Sequence, residues 1–288
     1  MILPASFYRR LYPFRMKLRN VAFPFRRLTA GDRVLPDFFI IGAQKSGTSS
    51  LYEYLTQHPL VRPAWVKEIG YFHRNYERGE RWYRANFPTS AAMKSPHGAQ
   101  CLTGEASTCL FQPVVPARAH ALLPAVKLIA LLRNPVARAF SHYQHNFRQG
   151  YETLSFADAI AAEPERLAGE VDALQRDPRY RCAKLNTFSY LWRGRYYEHL
   201  SRWLEHYPRE QLLVLCAEEF FADTPRVFAD VLRYLGLPDS DAFAFERHNV
   251  GGYADRMDPT LHTQLRDYYR PLNAKLTELV GRDFGWDT

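Results

Sequence analysis

Three separated groups in this 288-residue chain have side chains that could hold an anion and move a proton. The first is Lys45 with the hydroxyls of Ser46, Thr48 and Ser49, set around Gly47 in the stretch FFIIGAQKSGTSSLYEYL at 38–55. An ammonium, short hydroxyl donors and a glycine turn that presents backbone N–H groups make a cradle for an anion. The second group pairs Arg133 with Ser141, a guanidinium and a hydroxyl that together can grip a phosphate. The third is Glu68, a carboxylate beside Lys67 and within the reach of general-base chemistry. Each also has a plain structural reading: an ordinary strand-to-helix turn with a solvated lysine, the polar side of a helix, and a surface carboxylate.

These groups need elements to position them. Phe38–Ile41 reads as a buried strand, Gly42 breaks it, and Thr48–Gln57 reads as a helix. Dipole interactions at such a helix start contribute only ~0.3 to 2 kcal/mol, so Lys45 must supply much of the charge. The loop is close to the nucleotide-triphosphate loop but departs from it, because Lys45 sits inside the turn and Gly47 is followed by Thr48 rather than lysine. A triphosphatase also needs an acidic magnesium ligand at the end of a neighbouring strand. The best neighbour, VKLIALL at 126–132, ends in Arg133-Asn134-Pro135, which suits an anion handled without metal.

Further strands are expected near Cys101–Gly104 and at Leu212–Leu215, with helices between them, which gives parallel strands covered on both faces. Asn134 and Pro135 form a helix start, as do Thr224-Pro225, stopped at Gly236, and Asp258-Pro259, with a break at Pro271. On the helix from Pro135, Val136, Phe140, Tyr143 and Phe147 fall on one stripe, expected to be core. Arg138, Ser141 and His145 fall on the opposite, polar side. Residues 150–190 carry no readable pattern.

The formal charge is +8, yet eight of the 38 Lys/Arg lie in residues 1–33 against one acid, Asp32, so the rest is nearly neutral and no nucleic-acid-sized basic face is implied. Residues 1–35 read as a basic N-terminal extension and 36–288 as one domain. The extension interleaves aromatics with arginines, which admits a weak peripheral contact with anionic lipid. Pro13 and Pro24 spoil a continuous amphipathic helix and favour loose packing on the domain. The four scattered cysteines (Cys101, Cys109, Cys182, Cys216) show no metal spacing, so no metal and no disulfide are expected. With no signal-peptide core, a cytoplasmic location is expected.

The segments FIIGAQKSGTSSLYEYLTQHP, KEIGYF and LLRNPVARAFSHYQH, in this order, resemble the sulfotransferases that use 3′-phosphoadenosine 5′-phosphosulfate (PAPS). The likeness is to the heparan-sulfate type and its bacterial relatives, and runs from about residue 37 to the closing LVGRDFGW. It implies a P-loop-like three-layer α/β/α fold with a central parallel sheet. It implies that Lys45, Ser46, Gly47, Thr48 and Ser49 bind the 5′-phosphosulfate, and that Arg133 and Ser141 bind the 3′-phosphate. It makes Glu68 the general base, with Lys67 a weaker candidate to tune it; His145 assists catalysis, and Tyr196 lies near the nucleotide.

Two departures stand out. Ala106, in Glu105-Ala106-Ser107-Thr108, occupies the place of a lysine that touches the reaction centre. In HNVGGYADRMDP, Val250 and Gly252 replace two basic residues; Gly251 and Gly252 suit a loop over the nucleotide, and Arg256 is the candidate to restore charge. The expected reaction is metal-independent, in-line transfer of a sulfuryl group to a hydroxyl or amine of a sugar or small molecule. The alternatives are a magnesium-dependent kinase or NTPase and a non-catalytic protein that binds polyanions or membranes.

Overall fold

The computed structural model describes residues 22–96, 98–177, 179–240, 243–245 and 257–287. Five parallel strands form one sheet in the order β2-β3-β1-β4-β5: β1 (Phe38–Gly42), β2 (Val61–Pro63), β3 (Leu102–Ala106), β4 (Lys127–Leu132) and β5 (Leu212–Cys216). The central strand is β1, in register with β3 at Phe39–Glu105 and with β4 at Phe39–Leu128. The short edge strand β2 carries no periodic apolar signal, and at three residues it is visible only through its pairing with β3.

Alternation along the strands fills two cores. Phe39 and Ile41 of β1 and Leu128, Ala130 and Leu132 of β4 pack on one face, against α2 (Val115–Leu122), α4 (Tyr196–Leu204) and part of α6 (Pro259–Val280). Phe38, Ile40, Ile129 and Leu131 pack on the other, against α1 (Thr48–Leu55) and α5 (Thr224–Leu235). This is the three-layer α/β/α architecture. Each fully buried Leu or Phe stabilises it by roughly 1.5–3 kcal/mol, and inward residues on both strand faces explain why the strands read as unbroken apolar runs.

The helix from Pro135 is α3 (Pro135–Arg148), and it differs from its expected two-sided character. Val136 and Tyr143 are buried, but Phe147, placed in the core by its period, is 48 % exposed. The polar side is not a solvated face: Arg138 and Ser141 are both buried, Arg138 with its guanidinium donating to the carbonyl of Tyr190. The 150–190 region forms four helices, Phe156–Ala161, Glu163–Leu167, Glu170–Arg176 and Ala183–Phe188, none longer than seven residues, too short for a clear 3.6-residue period. Pro271 lies inside α6, which runs through it rather than breaking.

Part of the N-terminal extension is packed on the domain. Residues 22–28 are helical, and Arg26 donates to the carbonyls of Ala85 and Phe87 at 2.7 and 2.8 Å while lying over the Trp65 ring. Arg33 donates to Phe87 O at 2.7 Å. These two cations are thus engaged internally. No helix among the described residues is long and apolar enough to cross a membrane. All four cysteines are buried and free.

Candidate active site

At the C-terminal end of β1 the chain turns through Lys45 and Gly47 in left-handed backbone, φ 68° and 100°, and enters α1. Gly47 is required twice over, since a Cβ there would also lie 2.5 Å from the Phe221 ring. Next door, β4 ends in Arg133, whose Nη1 donates to Lys45 O at 3.2 Å. The two anion grips are therefore physically joined. Asn134 caps α3 by accepting from the N–H groups of Val136 and Ala137 at 3.0 and 3.2 Å, as its sequence position predicts. From that start, Ala137, Ser141, His145 and Arg148 follow one face of α3 along the edge of a single cleft of about 1260 Å³.

The facing wall carries Glu68, itself in left-handed backbone at φ 58°. The end of β3 holds this turn. Glu68 N–H donates to Ala106 O at 2.9 Å, Gly70 N–H to Ser107 Oγ at 3.1 Å, and Thr108 N–H to Glu68 Oε2 at 3.0 Å. Lys67 spans the gap, its Nζ 3.6 Å from Glu68 Oε1 and donating to Ser49 Oγ at 2.6 Å. A carboxylate and the lysine loop thus share one polar cleft, linked through Lys67.

Of the residues singled out in the sequence, Lys45, Gly47, Thr48, Ser49, Glu68 and Lys67 line the cleft, with Arg133, Ser141 and His145 beside them. Ser46 does not; its side chain is buried and its Oγ has no hydrogen-bond partner among the described residues. Tyr196 lies behind the site rather than in it: fully buried, it donates to Arg133 O at 2.8 Å and braces the grip. Ala106 is buried in the core on the α1 side and does not line the cleft. Gly251, Gly252 and Arg256 lie outside the described residues.

The His145 imidazole is held below its ordinary pKa by burial and by the charges of Lys45 and Arg148, which favours the neutral ring. Sequence reasoning missed further residues that line the same cleft: Arg74, Arg148 and Arg193, with His73, Phe111 and Asn186. Arg193 is the most constrained of these. It donates to Ser189 Oγ at 2.7 Å, to Asn186 O at 2.5 Å and to Gln44 of the anion loop, and lies 3.8 Å over the Phe111 ring. Burial and the nearby Arg138 pull its pKa down to about 9, still charged at neutral pH. In the sequence it is one arginine of the run Trp192-Arg193-Gly194-Arg195, which does not point to a site.

A parallel sheet whose central strand runs into a lysine-bearing anion loop, with a second cationic strand end beside it, defines a P-loop-like α/β group-transfer protein. Within that class the chain belongs to the sulfotransferase family: residues 35–246 match the model of the sulfotransferase domain. Heparan sulfate glucosamine 3-O-sulfotransferase 3B1 of Mus musculus is 31% identical over 287 residues, covering 90% of this chain and 66% of the relative. The bifunctional heparan sulfate N-deacetylase/N-sulfotransferase 3 of Homo sapiens is 32% identical over 279 residues, covering 85% of this chain and 30% of the relative. The chain thus spans just under two thirds of the first and under a third of the second. A solved sulfotransferase from Alicyclobacillus acidocaldarius superposes with a TM-score of 0.65 at 31% identity, covering 88% of this chain and all of that one. The expected family and fold class hold.

Proposed function

We propose that the chain transfers a sulfuryl group from PAPS to a hydroxyl or amine of an acidic saccharide or small acidic molecule. The observation that carries this reading is the Arg133–Lys45 contact, which makes one cleft of two anion grips with Glu68 on its far wall. A nucleotide phosphorylated at both its 5′ and 3′ positions offers two anionic ends to such a pair; ATP offers one.

In the reaction Glu68 takes the proton of the acceptor O–H or N–H as that atom attacks sulfur. The new bond to sulfur forms as the bond from sulfur to the bridging phosphate oxygen breaks. Charge grows on that oxygen, where Lys45 stabilises it, and adenosine 3′,5′-bisphosphate departs. Arg133 and Ser141 hold the 3′-phosphate throughout. Neutral His145 gives the cleft a second group able to accept a hydrogen bond beside Lys45. The acidity of the acceptor is supported by Arg74, Arg148 and Arg193 along the remaining cleft, and heparan sulfate, named in the relatives' descriptions, is a polyanion of this kind.

The test is thermal denaturation with nucleotide. A ligand at 100 times its Kd stabilises by about 2.7 kcal/mol, so adenosine 3′,5′-bisphosphate should raise the melting temperature without magnesium and outdo ADP with magnesium. Equal responses to the two would favour a magnesium-dependent kinase or NTPase and end this reading.

A further inference from the structure

The wall that carries Glu68 is built from behind by a carboxyl that no step of the reaction uses. Glu105, the penultimate residue of β3, is 1 % exposed. It accepts the Tyr83 hydroxyl on Oε2 and the Ser107 hydroxyl on Oε1, each at 2.5 Å. A serine hydroxyl has one proton and two lone pairs. With that proton committed to Glu105, a lone pair of Ser107 Oγ is left to accept the Gly70 N–H at 3.1 Å, and this amide also faces the Glu105 carboxylate.

Glu68 and Gly70 both hold left-handed backbone, φ 58° and 62°, and for a glutamate that conformation costs energy unless its neighbours enforce it. Three consecutive residues after Glu105 do so: Ala106 takes the Glu68 N–H, Ser107 the Gly70 N–H, and Thr108 donates to the Glu68 carboxylate. Ala106 acts through its carbonyl and Thr108 chiefly through its N–H, while Ser107 acts through a side chain whose direction a second side chain sets. Burial also makes this carboxyl costly, raising its pKa to about 7. A glutamine of equal size would pack there without that cost.

We propose that Glu105 is a positioning residue: through the Ser107 hydroxyl it fixes the Glu68–Gly70 turn and so the aim of the Glu68 carboxylate into the cleft. This rests on Glu68 being the base. Glu105→Gln keeps the volume but not the pattern. An amide that offers its oxygen to Ser107 turns its NH2 toward Tyr83, and the reverse orientation turns the Ser107 proton away from Glu105.

The experiment uses the full chain, labelled PAPS as donor and heparan sulfate as the acceptor probe. In Glu105→Gln and in Ser107→Ala, kcat should fall about 10- to 100-fold, the scale of a misplaced reacting group, while stabilisation by adenosine 3′,5′-bisphosphate is unchanged. Ser107→Thr, which keeps a hydroxyl, should recover most of the rate. In a Glu68→Gln background neither substitution should cost more, because its effect runs through Glu68. A folded Glu105→Gln chain with kcat within twofold of wild type, or the same loss with Glu68 already changed, overturns the proposal. If Glu105→Gln does not fold, Ser107→Ala carries the same comparison.

Hydrogen exchange of the Gly70 amide reads the clamp without catalysis. It should accelerate about tenfold in both variants, and unchanged protection overturns the proposal whatever the activity. A wild-type chain that neither transfers nor gains stability from the nucleotide, while Gly70 exchange still accelerates in the variants, overturns the donor assignment and leaves the clamp supported.

Discussion

The two walls of the cleft are built on opposite plans. The wall proposed to hold the donor comes from two adjacent strand ends, β1 and β4, and each delivers its cation within a few residues of the strand: Lys45 three residues past Gly42, Arg133 directly after Leu132. The wall proposed to face the acceptor is gathered from the turn at 67–74, the loop after β3, the end of α3 and the segment at 186–193. Backbone geometry sets the first, as at Gly47, where only a glycine fits. Side-chain contacts across long sequence separations set the second, as where Arg193 reaches Gln44. A wall made of contiguous backbone tolerates little variation. A wall made of assembled side chains can change its guest by changing loops.

The sharpest way to separate the two walls is Glu68→Gln. It should lower transfer ~10²- to 10⁴-fold, the usual worth of a general base, while the melting shift given by adenosine 3′,5′-bisphosphate stays as in wild type. Turnover near normal would remove Glu68 from the reaction, and a lost melting shift would show that the walls are not independent.

A second contrast is thermodynamic. Glu105 has its pKa raised from 4.5 to about 7, chiefly by burial, with Glu68 adding to the rise and the Ser107 and Tyr83 hydroxyls opposing it. Tyr52 of α1 and Cys109 face it as well. Glu105 is harder to ionise in the folded chain than in the unfolded one, so its contribution to stability is complete below about pH 4.5 and is lost as pH rises through about 7. The loss is on the order of 3 kcal/mol. Denaturation across this range should show the decline in wild type and not in Glu105→Gln; parallel curves would mean that the carboxyl is not the strained element of this wall.

On the donor side, Arg133→Ala removes charge-assisted hydrogen bonds of about 1.5–3 kcal/mol. It should therefore weaken adenosine 3′,5′-bisphosphate roughly 10- to 150-fold, with a much smaller effect on adenosine 5′-phosphate, as calorimetry would read. Equal weakening of both would detach Arg133 from the 3′ end. The smallest effect belongs to the exposed Arg74. Arg74→Ala should raise KM for an acidic saccharide only severalfold, since exposed ion pairs are worth ~1 kcal/mol or less, and the difference should shrink in high salt. A matching change in donor affinity would blur the division between the walls.

The same division explains what could be read from the chain alone. β1, β4 and β5 are apolar on both faces and stand out, and Lys45, Arg133 and the Asn134 cap follow from their positions at strand ends. Glu68 was found by motif, but its left-handed turn and the clamp behind it depend on Ser107 and Glu105, which join it only when β3 pairs beside β1. Phe147 misled because its period matched the stripe while the core ended before it. Arg193 and Arg74 are not marked out by the sequence, because a cation on a short helix or turn looks like any solvated residue until the fold brings the cleft together. Ser46 was named for its hydroxyl, yet the turn directs that group inward.

The bond from the Arg133 guanidinium to the Lys45 carbonyl has a cost for turnover. On the proposed chemistry both phosphates stay with the spent nucleotide, so the cleft recognises what remains after reaction almost as well as what it consumed. Such an enzyme is slowed by its own by-product, and its pace in a cell depends on how quickly another activity clears the bisphosphate away.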